Sequence, residues 1–344
     1  MLRAKAIKFR NGEVGAGEKL LASTDTHGQC VGIPVVVQVV NALNKMRTVR
    51  KVLDRALHVH PDAWLPELAT KRFRRSADKD DATTPAVNGQ RTPGEVVIFS
   101  TRYVNYNEPG IGFDLIKLLK HNGIAYTLVE KESCCGMPKL ELGDLDGVAK
   151  HKEANIPVLA RYARDGYAIP TAIPSCTLMF KQELPLLFPD DAEVAAVQAA
   201  SFDPFEYLMA RHKDGLLKLV FKAALGKVSH HIPCHGRVQK IGKKTEEMFK
   251  LIGKTVPVQV NTVERCSGHA GTYGVKSAFH ANAMKVGKLA FKVMAKNEPD
   301  YISSDCALAG HPIAQGMAVN ALNAPSAPRL AHPLSLVRIA YGLE

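Results

Sequence analysis

The chain reads as an α/β protein made of two duplicated domains with mainly parallel sheets flanked by helices, preceded by a helical N-terminal segment. Three observations predict this class. Short apolar runs of strand type alternate with amphipathic helical stretches, the pattern of strand–helix–strand units. A cysteine layout occurs twice, because positions 102, 134, 135 and 176 map onto 234, 266, 267 and 306 with shifts of 132, 132, 132 and 130. Each repeat cysteine also falls just past a strand-like run, where open parallel sheets build their sites. A repeat of this length is a duplicated domain rather than a solenoid.

The elements follow in order. Residues 1–75 are mostly helical, and Val35 to Leu57 places Val36, Val39, Val40, Leu43, Met46, Val49 and Leu53 at helical spacing. Residues 76–95 form a linker of Asp-Lys-Asp-Asp, Thr-Thr-Pro, Asn-Gly and Thr-Pro-Gly, all turn formers. The first domain, 96–226, opens on a buried-type strand, Val96–Phe99. A helix carrying Ile111, Leu115, Leu118 and Leu119 follows and stops at Asn122-Gly123. A strand from Ala125 to Val129 leads to Cys134 and Cys135. A helix over Pro157–Ala163, with the proline in a first turn, precedes a strand at Tyr167–Ile173 that leads to Cys176.

The second domain, 227–330, repeats the order. A strand at Val228–Ile232 leads to Cys234, and a helix runs through Met248, Leu251 and Ile252 to Gly253. A strand at Val256–Val260 precedes Cys266, a helix spans Ala278–Met294, and Tyr301-Ile302 precedes Cys306. Residues 331–344 are set off as a C-terminal tail.

Composition bounds the function. No run approaches the roughly 18 uninterrupted apolar residues of a membrane span. The N-terminus lacks the pattern of a secretory signal, so a cytoplasmic location is expected. Seven cysteines in such a chain argue against a disulfide framework. Cys30 alone stands outside the repeat and reads as a small buried hydrophobe. The net charge of +12 is spread over the chain without an aromatic-interleaved basic motif. A solvated face or a docking surface for an acidic partner is therefore expected, and no nucleic acid.

Cys134, Cys135 and Cys176 in one domain, and Cys234, Cys266 and Cys306 in the other, are the candidate metal ligands. Soft thiolates bind iron and zinc, and iron–sulfur clusters are held mainly by cysteine. Gly136 and Gly268 let backbone pass close to an inorganic core and donate N–H groups to its sulfides. His235, His269 and His311 lie near the thiolates in sequence and are further ligand or hydrogen-bonding options. His230 and His231 lie on the strand before Cys234, where alternation sends them to opposite faces. Thiol–disulfide catalysis at Cys134-Cys135 is disfavoured, since no Cys-x-x-Cys is present. No dinucleotide fingerprint or phosphate loop occurs either.

Glu132-Ser133-Cys134-Cys135-Gly136-Met137-Pro138, Ile232-Pro233-Cys234-His235 and Glu264-Arg265-Cys266-Ser267-Gly268 resemble the CCG (cysteine-rich) domains. These occur in heterodisulfide reductase and in the iron–sulfur subunit of anaerobic glycerol-3-phosphate dehydrogenase. Tyr103–Pro109 and Pro174–Met179 look closest to the latter branch. The resemblance covers about residues 95–320 and implies an iron–sulfur electron-transfer subunit, with a 4Fe-4S cluster at least in the second domain. It implies a flavoprotein dehydrogenase or a ferredoxin-type donor as partner, and membrane association only through such partners. It also implies that the chain begins after a ferredoxin-like module. The full family pattern has five thiolates per domain. Here Arg102 stands at the opening position and Met179 at the closing one of the first domain, and Ser267 and Ala309 replace ligands in the second. A guanidinium is no metal ligand. A zinc-stabilised or non-redox scaffold with vestigial sites is thus the alternative.

Overall fold

The computed structural model describes residues 2–24, 33–81, 83–322 and 327–344; Cys30 lies outside the described residues. The strands are β1 (Glu95–Ile98), β2 (Ala125–Leu128), β3 (Ile169–Pro170), β4 (Ser201–Phe202), β5 (Gly226–His231), β6 (Val258–Val263), β7 (Tyr301–Ser304) and β8 (Arg329–Leu330). In the first domain β1 pairs with β2, and a parallel bridge from Val96 to Ala168 carries the sheet on to β3 and β4. In the second domain the order is β6-β5-β7-β8. Every pairing within these sheets is parallel. The two orders correspond strand by strand, so the duplication seen in the cysteines extends to the topology.

Local chemistry explains where elements differ from the sequence expectation. The helix expected over Val35–Leu57 is two helices, Pro34–Lys45 and Arg47–Leu57, parted at Met46 with ψ 124°. The break lets the buried Arg50 guanidinium reach Asn44 Oδ1 (3.1 Å) and the carbonyls of His60 (2.8 Å) and Pro61 (3.0 Å). Those bonds offset the helical continuity lost. Pro157 lies deep inside the helix Leu145–Arg164 rather than in a first turn. That helix starts earlier because Asp144 caps it, accepting the Gly147 N–H at 2.9 Å. The strand expected over Tyr167–Ile173 shrinks to β3, where Pro170 cannot donate to a ladder.

The segment 331–344 holds a helix, Pro333–Tyr341, whose Leu334, Leu336, Val337, Ala340 and Tyr341 are all buried. It packs on the Pro109–His121 helix of the first domain, where Arg338 Nε lies 2.8 Å from Asp114 Oδ1. The end of the chain thus covers the domain at its beginning, and the main hydrophobic core is continuous through both halves. A smaller core sits inside the second domain around Val263, Phe291, Ile302 and Met317. There the helices Ser277–Ala295 and Ala307–Val319 approach closely because Gly316 lacks a side chain; a Cβ on it would lie 2.3 Å from the Phe291 ring.

Phe291→Ala is expected to lower stability by ~3–5 kcal/mol through the cavity it leaves. Gly316→Ala should cost ~1–3 kcal/mol by overpacking the same ring. Urea unfolding measures both; a loss within error for either would contradict this packing.

Candidate metal centres

The first centre is built from two strand ends. After β2 the chain turns through Cys134 and Cys135 into the helix Met137–Leu142, whose N-cap Gly136 has φ 95°. Cys176 sits in the first turn of the helix Pro174–Leu178, just past β3. All three thiols are buried, and that of Cys135 hydrogen-bonds to both Cys134 and Cys176. The N–H groups of Gly136 and Met137 point at the sulfurs of Cys134 and Cys135, and Thr24 from the N-terminal segment adds a side-chain bond to Cys134. The loop is anchored from the long helix Leu145–Arg164. Asn155 donates to the Cys134 carbonyl at 2.8 Å and accepts the Ser133 N–H at 2.8 Å, and Ser133 Oγ lies 2.8 Å from His151 Nδ1.

These contacts keep Cys134 and Cys135 protonated while no metal is bound. The Cys135 thiol and then burial push Cys134 well above the usual thiol range. Cys134 favours ionisation of Cys135, but the Cys176 thiol and burial outweigh it and Cys135 is raised as well. A metal entering here would displace those protons.

Arg102 opens a short helix, Arg102–Tyr106, at the end of β1, after Thr101 with φ 62°. Its Nη2 donates to the Glu132 carbonyl at 3.2 Å, and its guanidinium lies over the Tyr106 ring. The Glu132 carboxylate is in turn held by the Ser100 N–H (2.9 Å) and by Arg74 (3.3 Å). Arg102 therefore helps position the Cys134 loop from the place where the repeat puts a thiol. Met179 is fully buried in a π-helical turn, its methyl beside Gly136.

The second centre is more open. Cys234 begins the helix Cys234–Arg237 past β5, and Cys266 follows β6; both are exposed and share a hydrogen bond. Arg237 Nη2 donates to Cys234 Sγ at 3.2 Å, and the Gly268 N–H reaches Cys266 Sγ at 3.4 Å. The bond from Cys266, together with Arg237, holds Cys234 down to about 5, whereas the proton stays on Cys266, which is raised. Gly268 adopts φ 78°, and a Cβ there would lie 2.0 Å from the Ala283 carbonyl oxygen. Cys306 stands at the N-cap position of the helix Ala307–Val319, where its backbone carbonyl accepts the Ala309 (2.9 Å) and Gly310 (3.0 Å) N–H groups; burial pushes its thiol up to about 12. Ser267 accepts the His269 N–H through its hydroxyl at 3.4 Å.

The histidines divide. His269 is lowered to about 4 by burial and then by His235, so its imidazole is neutral, the form that ligates metals. His235 Nε2 lies 3.9 Å from Glu141 Oε1 of the first domain. His311 is engaged elsewhere, 2.5 Å from Glu108 Oε1. Both strand histidines are buried. His230 meets the Phe249 ring and lies 3.4 Å from Asp305 Oδ2, while His231 bonds Ser304 Oγ (3.0 Å) and the Arg265 carbonyl (2.9 Å). His231 thereby steadies the loop that leads into Cys266. The sheet is covered on both sides, which is why alternation here separates two buried residues rather than a buried one from an exposed one.

The two centres adjoin. The helix carrying Cys176 packs against the one carrying Cys234, and Gln239 Nε2 bridges the Pro174 (3.1 Å) and His235 (2.9 Å) carbonyls. Among the described residues no three His, Cys, Asp or Glu side chains are arranged to hold a single metal ion. The donor chemistry nonetheless suits a thiolate-held inorganic core: sulfurs in contact, N–H groups aimed at them, and glycine at each point where backbone passes close.

A family model described as a cysteine-rich domain, CCG, matches residues 96–181 and again 228–308. The chain is built on two CCG domains. It is 28% identical over 292 residues to a subunit of the anaerobic glycerol-3-phosphate dehydrogenase of Escherichia coli strain K12, with 83% of this chain and 70% of that protein covered. It is 27% identical over 220 residues to a subunit of the fumarate reductase (CoM/CoB) of Methanothermobacter marburgensis, covering 63% of this chain and 41% of the relative. Lactate utilization protein A of Bacillus cytotoxicus is 27% identical over 217 residues, with 62% and 87% covered.

Arg237, Asn155 and His151 support the CCG loops without having been singled out from the sequence. Arg237 alone had a readable signal, since three residues past Cys234 on one helical turn puts it beside the thiol. The other two act across distant segments. In metal-free protein, alkylation of Cys234 by iodoacetamide should be fast at pH 7 and slow below its lowered value near 5, because only the thiolate reacts. Arg237→Ala should move that midpoint upward. A wild-type midpoint in the ordinary thiol range, near 9, would contradict the geometry.

Proposed function

We propose that this chain is the iron–sulfur electron-transfer subunit of an oxidoreductase. The observation that carries the reading is the presence, in matched strand-end loops of two CCG domains, of contacting thiols with backbone N–H groups aimed at their sulfurs. Cys134, Cys135 and Cys176 would hold a cluster in the first domain. Cys234, Cys266 and Cys306, with His269 or His235 as the nitrogen option, would hold one in the second, which we assign as the 4Fe-4S site. When bound, such a cluster supplies one-electron transfer at a potential tuned by charge, hydrogen bonding and burial.

The residues of the chain do the tuning and the holding. The bond from Cys266 and then Arg237 keep Cys234 ionised, and Arg237 adds positive charge beside the second site. Gly136, Met137 and Gly268 stabilise sulfur charge through their N–H groups. Burial of the first set excludes water from it. Relatives are named as subunits of a dehydrogenase and of a reductase, which supports a dehydrogenase partner for this chain; a flavoprotein or a ferredoxin-type donor is the partner we favour. Among the described residues no helix is long and apolar enough to cross a membrane. We place the chain in the cytoplasm, reaching a membrane only through its partner.

A second reading rests on the four replaced ligand positions. Arg102 and Met179 are committed to loop and core packing in the first domain, and Ser267 and Ala309 to loop and helix in the second. A scaffold, with or without zinc, would use the same fold. Anaerobic purification with iron, sulfide and zinc analysis decides between them. The expected result is iron and sulfide together, lowered by Cys135→Ser and by Cys266→Ser separately and lost in the double variant. A colourless chain that takes up neither on reconstitution, or one that holds zinc alone, would end the iron–sulfur reading.

A further inference from the structure

A cavity of about 470 Å³ opens where the N-terminal segment meets both CCG domains. Trp64 and Glu67 line it from the N-terminal segment, Tyr103 and Glu108 from the first domain, and Ser304 and His311 from the second. Its volume is that of a small-molecule site. Its polar centre is Glu108, whose Oε1 accepts the Tyr103 hydroxyl at 2.6 Å and His311 Nε2 at 2.5 Å. Both bonds end on one oxygen, so the other is left to accept from a ligand. The His311 ring stacks on Trp64 with centroids 4.4 Å apart and planes 8° apart. Trp64 is itself fixed by its backbone N–H to Gln315 Oε1 at 3.2 Å.

The charge of the cavity opposes that of the chain. Among the described residues its lining includes two carboxylates and neither lysine nor arginine, in a protein of net charge +12. Lys45 reaches Glu67 at 2.8 Å, but from an exposed position outside the lining. Glu108 is held ionised against its burial by His311 and Tyr103. An anionic guest would meet like charge in a partly desolvated space, whereas a donor group would find a carboxylate oxygen and a flat ring would find an aromatic wall.

We propose that this cavity binds a small ring compound that donates hydrogen bonds and carries no negative charge. The proposal does not depend on the iron–sulfur reading, although Ser304 and Ala307, which flank Cys306, bring the cavity to the rim of the second centre.

Trp64 is the chain's single tryptophan, so its fluorescence reports directly on the site. The full chain is titrated with three compounds of similar size: benzylamine, benzyl alcohol and benzoate. Benzylamine and benzyl alcohol are expected to change Trp64 emission saturably, and benzoate should bind at least about tenfold more weakly, as charge-assisted pairing requires. Glu67→Gln, at an exposed side chain that the fold does not need, and Glu108→Gln should each weaken benzylamine relative to benzyl alcohol. Benzoate binding as tightly as benzylamine, no saturable response to either donor, or no change in either Gln variant would overturn the proposal. Iron and sulfide are assayed on the same samples, so failure of this site and failure of the cluster assignment are read separately.

Discussion

Everything at the two centres depends on a backbone turn that only glycine makes without strain. Gly136, directly after Cys135, and Gly268, two residues after Cys266, both take positive φ. At Gly268 the turn also presses against the Ala283 carbonyl, where any side chain would collide. At these turns the N–H groups of Gly136 and Gly268 themselves reach the sulfurs of Cys134 and Cys266, and after Gly136 the Met137 N–H reaches Cys135. The parallel sheet brings the strand ends to one edge, and the turns convert that edge into a surface of sulfurs and N–H donors. Anchors from outside the loops, Asn155 in one half and His231 in the other, then hold each turn to the scaffold.

Duplication supplied two such edges, and divergence has given them different characters. The first is a buried set of three thiols, of which Cys134 and Cys135 stay protonated, its loop tied down at Glu132 by Arg102 from the position where the repeat puts another sulfur. The second is an open pair with its charge settled on Cys234 by the bond from Cys266 and by Arg237, and a half-buried Cys306 at the start of the helix Ala307–Val319. The halves are not independent. The Cys176 and Cys234 helices pack together, Glu141 of one half faces His235 of the other, and the C-terminal helix closes the first domain with residues that follow the second.

Much of this was legible in the sequence, for reasons that can be named. The alternation of Val96–Phe99, the Ile111–Leu119 stripe and Ala125–Val129 is strong because those elements are buried on both sides. The cysteine register shows because sulfur chemistry tolerates few substitutes. What escaped reading depends on contacts between distant segments. The break at Met46 serves a guanidinium that bonds residues ten or more positions away, the length of the Pro157 helix is set by a cap at Asp144, and the 331–344 helix is buried by a domain two hundred residues upstream. The sequence weighted the second centre by its fuller set of residue types. In the structure Cys135 bonds two other thiols in the first centre, whereas in the second, among the described residues, Cys234 and Cys266 bond each other without Cys306, a difference that spacing does not reveal.

The central claim is that thiols of the CCG loops together hold an iron–sulfur core. Iron K-edge X-ray absorption on anaerobically purified protein tests it most directly. A first shell dominated by sulfur, with a second shell of iron, is the result this account requires. Iron bound only by oxygen and nitrogen, isolated iron without an iron neighbour, or a protein with no iron to measure would contradict it.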